Sequence, residues 1–393
     1  MSQDKLGKVV LILGTGLLKI ERIMTLKYWV GFSLIPGIGR VRFSLLEKHF
    51  GQMERAWFAS AQELKEAGLE PKVVETVLHY RPRISLDEEM EKLERYQVQA
   101  LPWRHPAYPP RLKEIYDPPP VLYVRGSILP QDEVGLAVVG TRKPTIYGRQ
   151  ATEELVAELV RNRITIISGL ARGIDAVAHR TALSNGGRTI AIFASGLDIV
   201  YPAEHAPLAR EVLERGALVS ELPLGTPPRA EQFPRRNRIM SGMALGTVVV
   251  EAGEGSGALI TARLALEQNR EVFAIPGSIL SPQSRGANRL IQEGAKLVMG
   301  AGDILEELNL AMAAPQAEMK ELLAPEPQEA PLLRHLSAEP LHIDELCRLS
   351  GLAIPTVSSL LSMMELKGLV RQVGAMHYIL SREAREEYRV KVE

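Results

Sequence analysis

Seven short apolar runs rich in β-branched residues mark the middle of this chain, at 136–139, 164–167, 189–193, 218–219, 247–250, 272–275 and 297–298. They lack strict apolar–polar alternation, so such a strand has no face reserved for water. Helical patterns at 150–160, 174–183, 207–213, 258–267 and 288–292 separate most of them. Strands buried on both faces and spaced by helices form a parallel sheet covered on each side. The sequence predicts an α/β fold, a doubly wound Rossmann-like parallel sheet.

An open sheet of this kind binds ligands beyond the carboxyl ends of its strands. Those ends read Gly140-Thr141-Arg142, then Ser168-Gly169-Leu170-Ala171-Arg172-Gly173, then Ser195-Gly196, then Glu251 through Gly253, Gly255, Ser256 and Gly257. Packing accounts for one glycine loop; four on one edge point to a shared phosphate-binding crevice. Backbone N–H groups freed by glycine cradle anions, most readily at a helix start. The run Phe233, Pro234, Arg235, Arg236, Asn237, Arg238 adds guanidiniums for bidentate phosphate contact and an aromatic face for an unpaired base. Gly140, Arg142, Ser168, Gly169, Leu170, Ala171, Arg172, Phe233 to Arg238, Gly255, Ser256 and Gly257 are therefore the candidate phosphate and single-strand contacts.

Other chemistries fit less well. The first strand is followed by GTRKPTIYG rather than G-x-G-x-x-G, and there is no Walker-type lysine loop. Asp175 and His179 are four apart on one helix face, which suits an acid/base pair. The plainer reading is an aspartate at a helix start and a hydrogen-bonded histidine. It is preferred because no nucleophile or metal partner has matching spacing. The remaining histidines show no ligand pattern. No catalytic residue, metal or cofactor is expected.

Formal net charge is zero, so an anion site must be a local patch, and residues 229–238 supply one with four arginines against a single acid. One cysteine, Cys347, excludes an internal disulfide framework and fits a reducing compartment. No run is long enough to cross a bilayer, and the apolar stretch 9–13 is too short for a signal peptide, which points to the cytoplasm.

The flanks divide by composition. Residues 1–23 read as an extension whose place in the fold is open, with Met24 an alternative start. Residues 24–100 form a small helical domain of helix-hairpin-helix or SAM-like type, whose Pro36-Gly37-Ile38-Gly39 turn either faces a DNA phosphate or simply closes an αα-hairpin. The sheet domain spans 101–311 and opens with a proline-rich, irregular collar to 134. A linker rich in Ala, Pro and Glu follows at 312–330. Residues 331–385 predict a winged helix with a hairpin turn at Gly374 and a recognition helix over 356–366. That helix carries no arginine or lysine, so the module reads as accessory rather than sequence-reading, with Met363 and Met364 in its core.

Taken together the motifs resemble the DprA (Smf) family of bacterial DNA-processing proteins. The resemblance rests on AVVGTR at 137–142, SGLARGIDAVAHRTAL at 168–183, SGLDIVYPAEH at 195–205, SELPLGTPP at 220–228, the run from FPRRNRIM at 233 to AIPG at 277, and SRGANRLIQEGAKLV at 284–298. It implies a non-catalytic protein of natural transformation that binds and protects single-stranded DNA without sequence preference. It further implies loading of the RecA recombinase, displacement of single-strand-binding protein, and a homodimer. The loop at 251–260 also looks like the pocket of phosphoribohydrolases that cleave nucleoside monophosphates. The position of their catalytic glutamate holds Leu259 or Ile260 here, with Glu267 two turns on. A transcription regulator with a nucleotide-sensing Rossmann domain is the third reading, weakened by the uncharged recognition helix.

Overall fold

The computed structural model describes residues 25–310, 328–337, 340–367, 369–372 and 376–380. The extension, Met24, most of the linker and Gly374 lie outside them. The chain divides into two compact units between Ile304 and Leu305.

The first unit contains a nine-stranded sheet in the order β1-β2-β6-β5-β4-β3-β7-β8-β9. Its strands are β1 (Val98–Pro102), β2 (Val121–Gly126), β3 (Gly135–Val139), β4 (Thr165–Ser168), β5 (Thr189–Ile192), β6 (Ala217–Ser220), β7 (Gly246–Val249), β8 (Glu271–Ala274) and β9 (Lys296–Leu297). From β6 across to β9 every pairing is parallel. Every residue of β3 to β7 is buried, which is why those runs show no alternation. The chain lays β4, β5 and β6 outward on one side of β3, then returns to place β7 on its other side. Connections after β3 and β7 therefore leave in opposite directions from adjacent strand ends. This is the topological switch point of the sheet.

The proline-rich collar is not irregular throughout. It carries β2, and β1 runs into it from residues 98–100, which the sequence assigned to the helical domain; the two extend the sheet with antiparallel pairings, β1 on β2 and β2 on β6. Its prolines bound these strands rather than interrupt them. Pro102 closes β1 at the sheet edge, where a missing N–H is tolerated.

Helices precede the sheet: residues 25–33, Arg40–Phe50, Met53–Phe58, Ala61–Glu66, Pro71–Tyr80 and Leu86–Arg95. Their core is aromatic, with Phe32 edge-on to Trp57 at 5.1 Å and Trp29 stacked on Phe43 at 5.5 Å. Gly31 is required there, because a Cβ would meet the Trp57 ring. This core continues into the sheet through Tyr123, whose hydroxyl lies 2.7 Å from Ser33 Oγ.

The second unit holds the helices Ala330–Leu333, Ile343–Ser350 and Ile354–Leu366 with a three-stranded sheet. Its order is β10 (Leu341–His342), β12 (His377–Leu380), β11 (Val370–Gln372). This is a winged helix. Val357, Leu361 and Met364 of the Ile354–Leu366 helix are buried at its centre. Met363 is 49% exposed, contrary to the expectation of a core pair, because successive helical residues point about 100° apart. Among the described residues no single helix is long and apolar enough to cross a membrane.

Candidate functional site

The ends of β3 and β7 are tied together by their own loops. Thr141 N–H donates to the Glu251 carbonyl at 2.7 Å. The buried Glu251 carboxylate accepts from Thr145 N–H at 2.9 Å and from Thr145 Oγ1 at 2.7 Å. Above this junction lies a cleft of about 410 Å³. Gly140, Thr141, Arg142 and Asp175 line one side, and Gly253, Gly255, Ser256 and Gly257 line the other.

The third wall is the helix Gln232–Met243. In sequence, 233–238 is one arginine-rich run. Pro234 falls within the first turn, where no intrahelical N–H is needed, so the helix forms straight through it. Helical periodicity then divides the residues. Phe233, Pro234, Arg236, Asn237 and Met240 line the cleft, whereas Arg235 and Arg238 do not.

Arg236 forms part of the cleft floor at 5% exposure. Its Nη1 donates to the Ile192 carbonyl at 2.6 Å, and its Nε donates to Asn237 Oδ1 at 3.2 Å. The guanidinium packs on Gly169, where any Cβ would overlap it. Its pKa is lowered to about 10, chiefly by burial, with Asp175 opposing the shift and Arg142 adding to it. Arg238 donates through Nη2 to Glu221 at 2.6 Å and pairs through Nε with Asp117 at 3.3 Å. Arg235 is exposed, 3.6 Å from Glu221.

The SGLARG loop spends much of its polarity internally. Ser168 donates to the Val138 carbonyl at 2.7 Å and is buried. Leu170 is buried in a left-handed conformation, and its carbonyl accepts from His205 Nδ1 at 2.8 Å. Gly169 and Ala171 N–H donate to Asp175 Oδ2 at 3.1 and 3.3 Å. Burial raises the Asp175 pKa, while Arg236 and these two amides pull it down. Arg172 is exposed and paired with Glu204 at 2.5 Å, outside the cleft lining.

His179 contacts Thr189 Oγ1 at 2.7 Å, and that hydroxyl donates to the Ile166 carbonyl. The imidazole must therefore donate from Nδ1. Burial pushes its pKa down to about 3, so it stays neutral. Asp175 and His179 make separate structural contacts and share no proton.

What remains open to a ligand is narrower than the sequence list. The Arg142 guanidinium carbon sits 5.4 Å from the Phe233 ring centroid, with Tyr201 edge-on to Phe233 at 5.6 Å. Phe233 is half-buried rather than a core residue. Opposite, Ser256 caps the helix Gly257–Glu267 by accepting from Ala258 N–H at 3.3 Å. A Cβ at Gly255 or Gly257 would meet nothing within 4 Å, so this helix start faces free space. The cleft thus offers a cation over an aromatic face on one side and helix-start amides on the other. Thr261 and Gln283 also line it. Sequence reading missed both, although extending the strand-end rule to the loop after β8 reaches Gln283.

Comparison with known proteins gives a consistent result. A family model described as DNA recombination-mediator protein A matches residues 99–309, and one described as DprA winged helix domain matches 312–376. Protein Smf of Synechocystis is 34% identical over 388 residues, covering 89% of this chain and 98% of that protein. Protein Smf of Escherichia coli is 40% identical over 326 residues, covering 81% and 87%. The X-ray structure of DNA processing protein A from Streptococcus pneumoniae superposes with a TM-score of 0.62 at 34% identity, covering 72% of this chain and 97% of that one. A structure of DNA processing protein A from Helicobacter pylori, solved for its single-stranded DNA binding mode, superposes with a TM-score of 0.50 at 29% identity, covering 55% and 97%.

Proposed function

Because the chain belongs to the DNA recombination-mediator protein A family, the DprA or Smf proteins, we propose that its switch-point cleft binds single-stranded DNA without sequence preference. The observation that carries this reading is Arg142 over Phe233, facing the open N-terminus of Gly257–Glu267 across the cleft. A base stacks on any aromatic face whatever its identity, and cations and amides hold its phosphates. Neither contact reads sequence.

Of the residues lining the cleft, Asp175 is the single carboxylate, and it is occupied by its own loop. Neither Leu259 nor Ile260, the two candidates for the phosphoribohydrolase acid position, carries a carboxylate, and Ile260 lines the cleft. Glu267 is exposed at the far end of an 11-residue helix, roughly 15 Å along its axis. The arrangement suits binding rather than glycosidic cleavage. Shielding of incoming strands, displacement of single-strand-binding protein, RecA loading, a cytoplasmic location and a homodimer are proposed on the family resemblance.

A salt titration of fluorescent oligo-dT binding tests the cleft. Arg142→Ala should reduce the slope of log K against log[salt] by about 0.7, one phosphate's share on a single strand. Phe233→Ala should cost about 1–3 kcal/mol with the slope unchanged. If both variants stay folded and bind like the parent, the cleft is not the site.

A further inference from the structure

Glu251 follows β7 at the switch point and is 1% exposed. A buried carboxylate needs hydrogen-bond donors to offset its lost hydration. This one spends both oxygens on a single residue, Thr145, which donates its N–H to Oε2 and its hydroxyl to Oε1. The Glu251 backbone carbonyl meanwhile accepts from Thr141 N–H. One residue thus grips the loop 141–145 at both ends. The neighbouring chain is cut to fit it. A Cβ on Gly140 would press on the Glu251 carbonyl, and one on Gly148 would overlap Oε2. Gly148 N–H donates to Thr145 Oγ1 at 3.1 Å, which leaves that hydroxyl to donate to the carboxylate. The arrangement also sets an anion at the start of the helix Ile146–Arg161, where the helix dipole favours one.

What the grip holds is Arg142. The other side of its loop is closed by the start of the helix Ile174–Ser184. Ile174 N–H donates to the Thr141 carbonyl at 3.2 Å. Gly173, at a left-handed φ of 78°, lets the Arg142 backbone lie where a Cβ would otherwise stand. Arg142 itself is exposed, and its guanidinium reaches the Phe233 ring. A long side chain has many rotamers, so where this cation stands depends on how firmly its backbone is held.

We infer that Glu251 is a positioning residue for the single strand: by clamping Thr141 and Thr145 it presents Arg142 to a phosphate in the cleft. Glu251 does not line the cleft itself. The inference rests on the binding function proposed for that cleft. A guanidinium makes paired contacts to phosphate only in a defined orientation, and holding it there beforehand removes the need to order it on binding. Loosening the clamp should therefore weaken binding through Arg142 alone.

The test measures dT20 binding by the full chain for Thr145→Val, Thr145→Ser and Glu251→Gln, each made in the parent and in Arg142→Ala. Thr145 is exposed, so its replacements leave the core intact, and circular dichroism confirms folding. Thr145→Val should weaken binding about fivefold in the parent and not at all in Arg142→Ala, a coupling expected of residues in one network. Thr145→Ser keeps the hydroxyl and should bind like the parent. Glu251→Gln replaces one acceptor oxygen by a donor and should follow Thr145→Val. Where Glu251→Gln does not fold, the Thr145 pair decides alone. Loss of the helix cap by itself would lower the melting temperature in both backgrounds without making affinity depend on Arg142. If Thr145→Val weakens both backgrounds equally, or neither, while Arg142→Ala alone weakens binding, Glu251 does not act through Arg142 and the cleft stands. If Arg142→Ala binds like the parent, the cleft reading falls and this inference falls with it.

Discussion

Arg236 looks in sequence like a surface ligand, and in the fold it is a buried strut. Gly169 exists to admit its guanidinium, and the Ile192 carbonyl holds it. The charge still reaches the cleft, but the side chain is committed to the scaffold. His179 beneath the same loop carries a consequence for pH. Its pKa is about 3 in the fold and about 6.5 in an unfolded chain. As pH falls below 6.5 the unfolded chain takes up a proton that the native imidazole refuses until about pH 3. The stability present above pH 6.5 is therefore lost progressively across that window, by at most about 1.4 kcal/mol per pH unit. Asp175 has the opposite sign, since burial raises its native pKa. Its contribution is complete below the unfolded carboxylate pKa and declines above it. His179→Gln leaves Asp175 in place and should flatten the acid-side loss by one proton's worth. Denaturant titrations from pH 7.5 to 4.5 measure this, and parallel slopes in parent and variant would refute it.

At the scale of elements, the sequence makes some features plain and hides others for identifiable reasons. The parallel strands are legible because burial on both faces leaves uninterrupted apolar runs, as in β7. β2 is hidden because the prolines around it read as irregular chain, and β1 because most of it falls at the end of the segment read as helical. The arginine run is misleading because side-chain type is visible in a sequence and helical phase is not. Pro234 disguises the phase further, so residues on two faces look like one cluster. The glycine loops are legible as strand-end loops, but their amides differ in fate. Those at Gly169 and Ala171 serve Asp175, while the Gly257 helix start faces the open cleft. Ser256 tests that distinction. Ser256→Ala removes the cap and should cost about 1 kcal/mol of stability. Ser256→Asp keeps a capping oxygen, so stability should hold, yet its charge stands where a phosphate is proposed. Its oligo-dT affinity at low salt should fall. Unaltered affinity in Ser256→Asp would take this helix start out of the site.

For the whole molecule, the question is which unit would carry the proposed strand. The switch-point cleft lies in the first unit, built from residues before 285. In the winged helix, the exposed residues of Ile354–Leu366 include Thr356, Ser358, Ser359, Ser362 and the acidic Glu365, and none is basic. A groove-reading helix depends on cations to neutralise phosphates and on forked donors to read bases. Its core is nevertheless well formed, around Leu346, Val357, Leu361 and Met364, so the module is built to fold and to present a surface. That combination fits an accessory role, in which the second unit contacts something other than the strand proposed for the first. A chain truncated at Gln328 should accordingly bind oligo-dT almost as well as the full chain and with the same salt slope, since no phosphate contact is removed. It should also melt with the first unit's transition intact. A tenfold loss of affinity, about 1.4 kcal/mol, would place the winged helix on the DNA. If that loss came with a shallower salt slope, the missing contacts would be ionic, and Arg348 or Lys367 would be the next residues to replace.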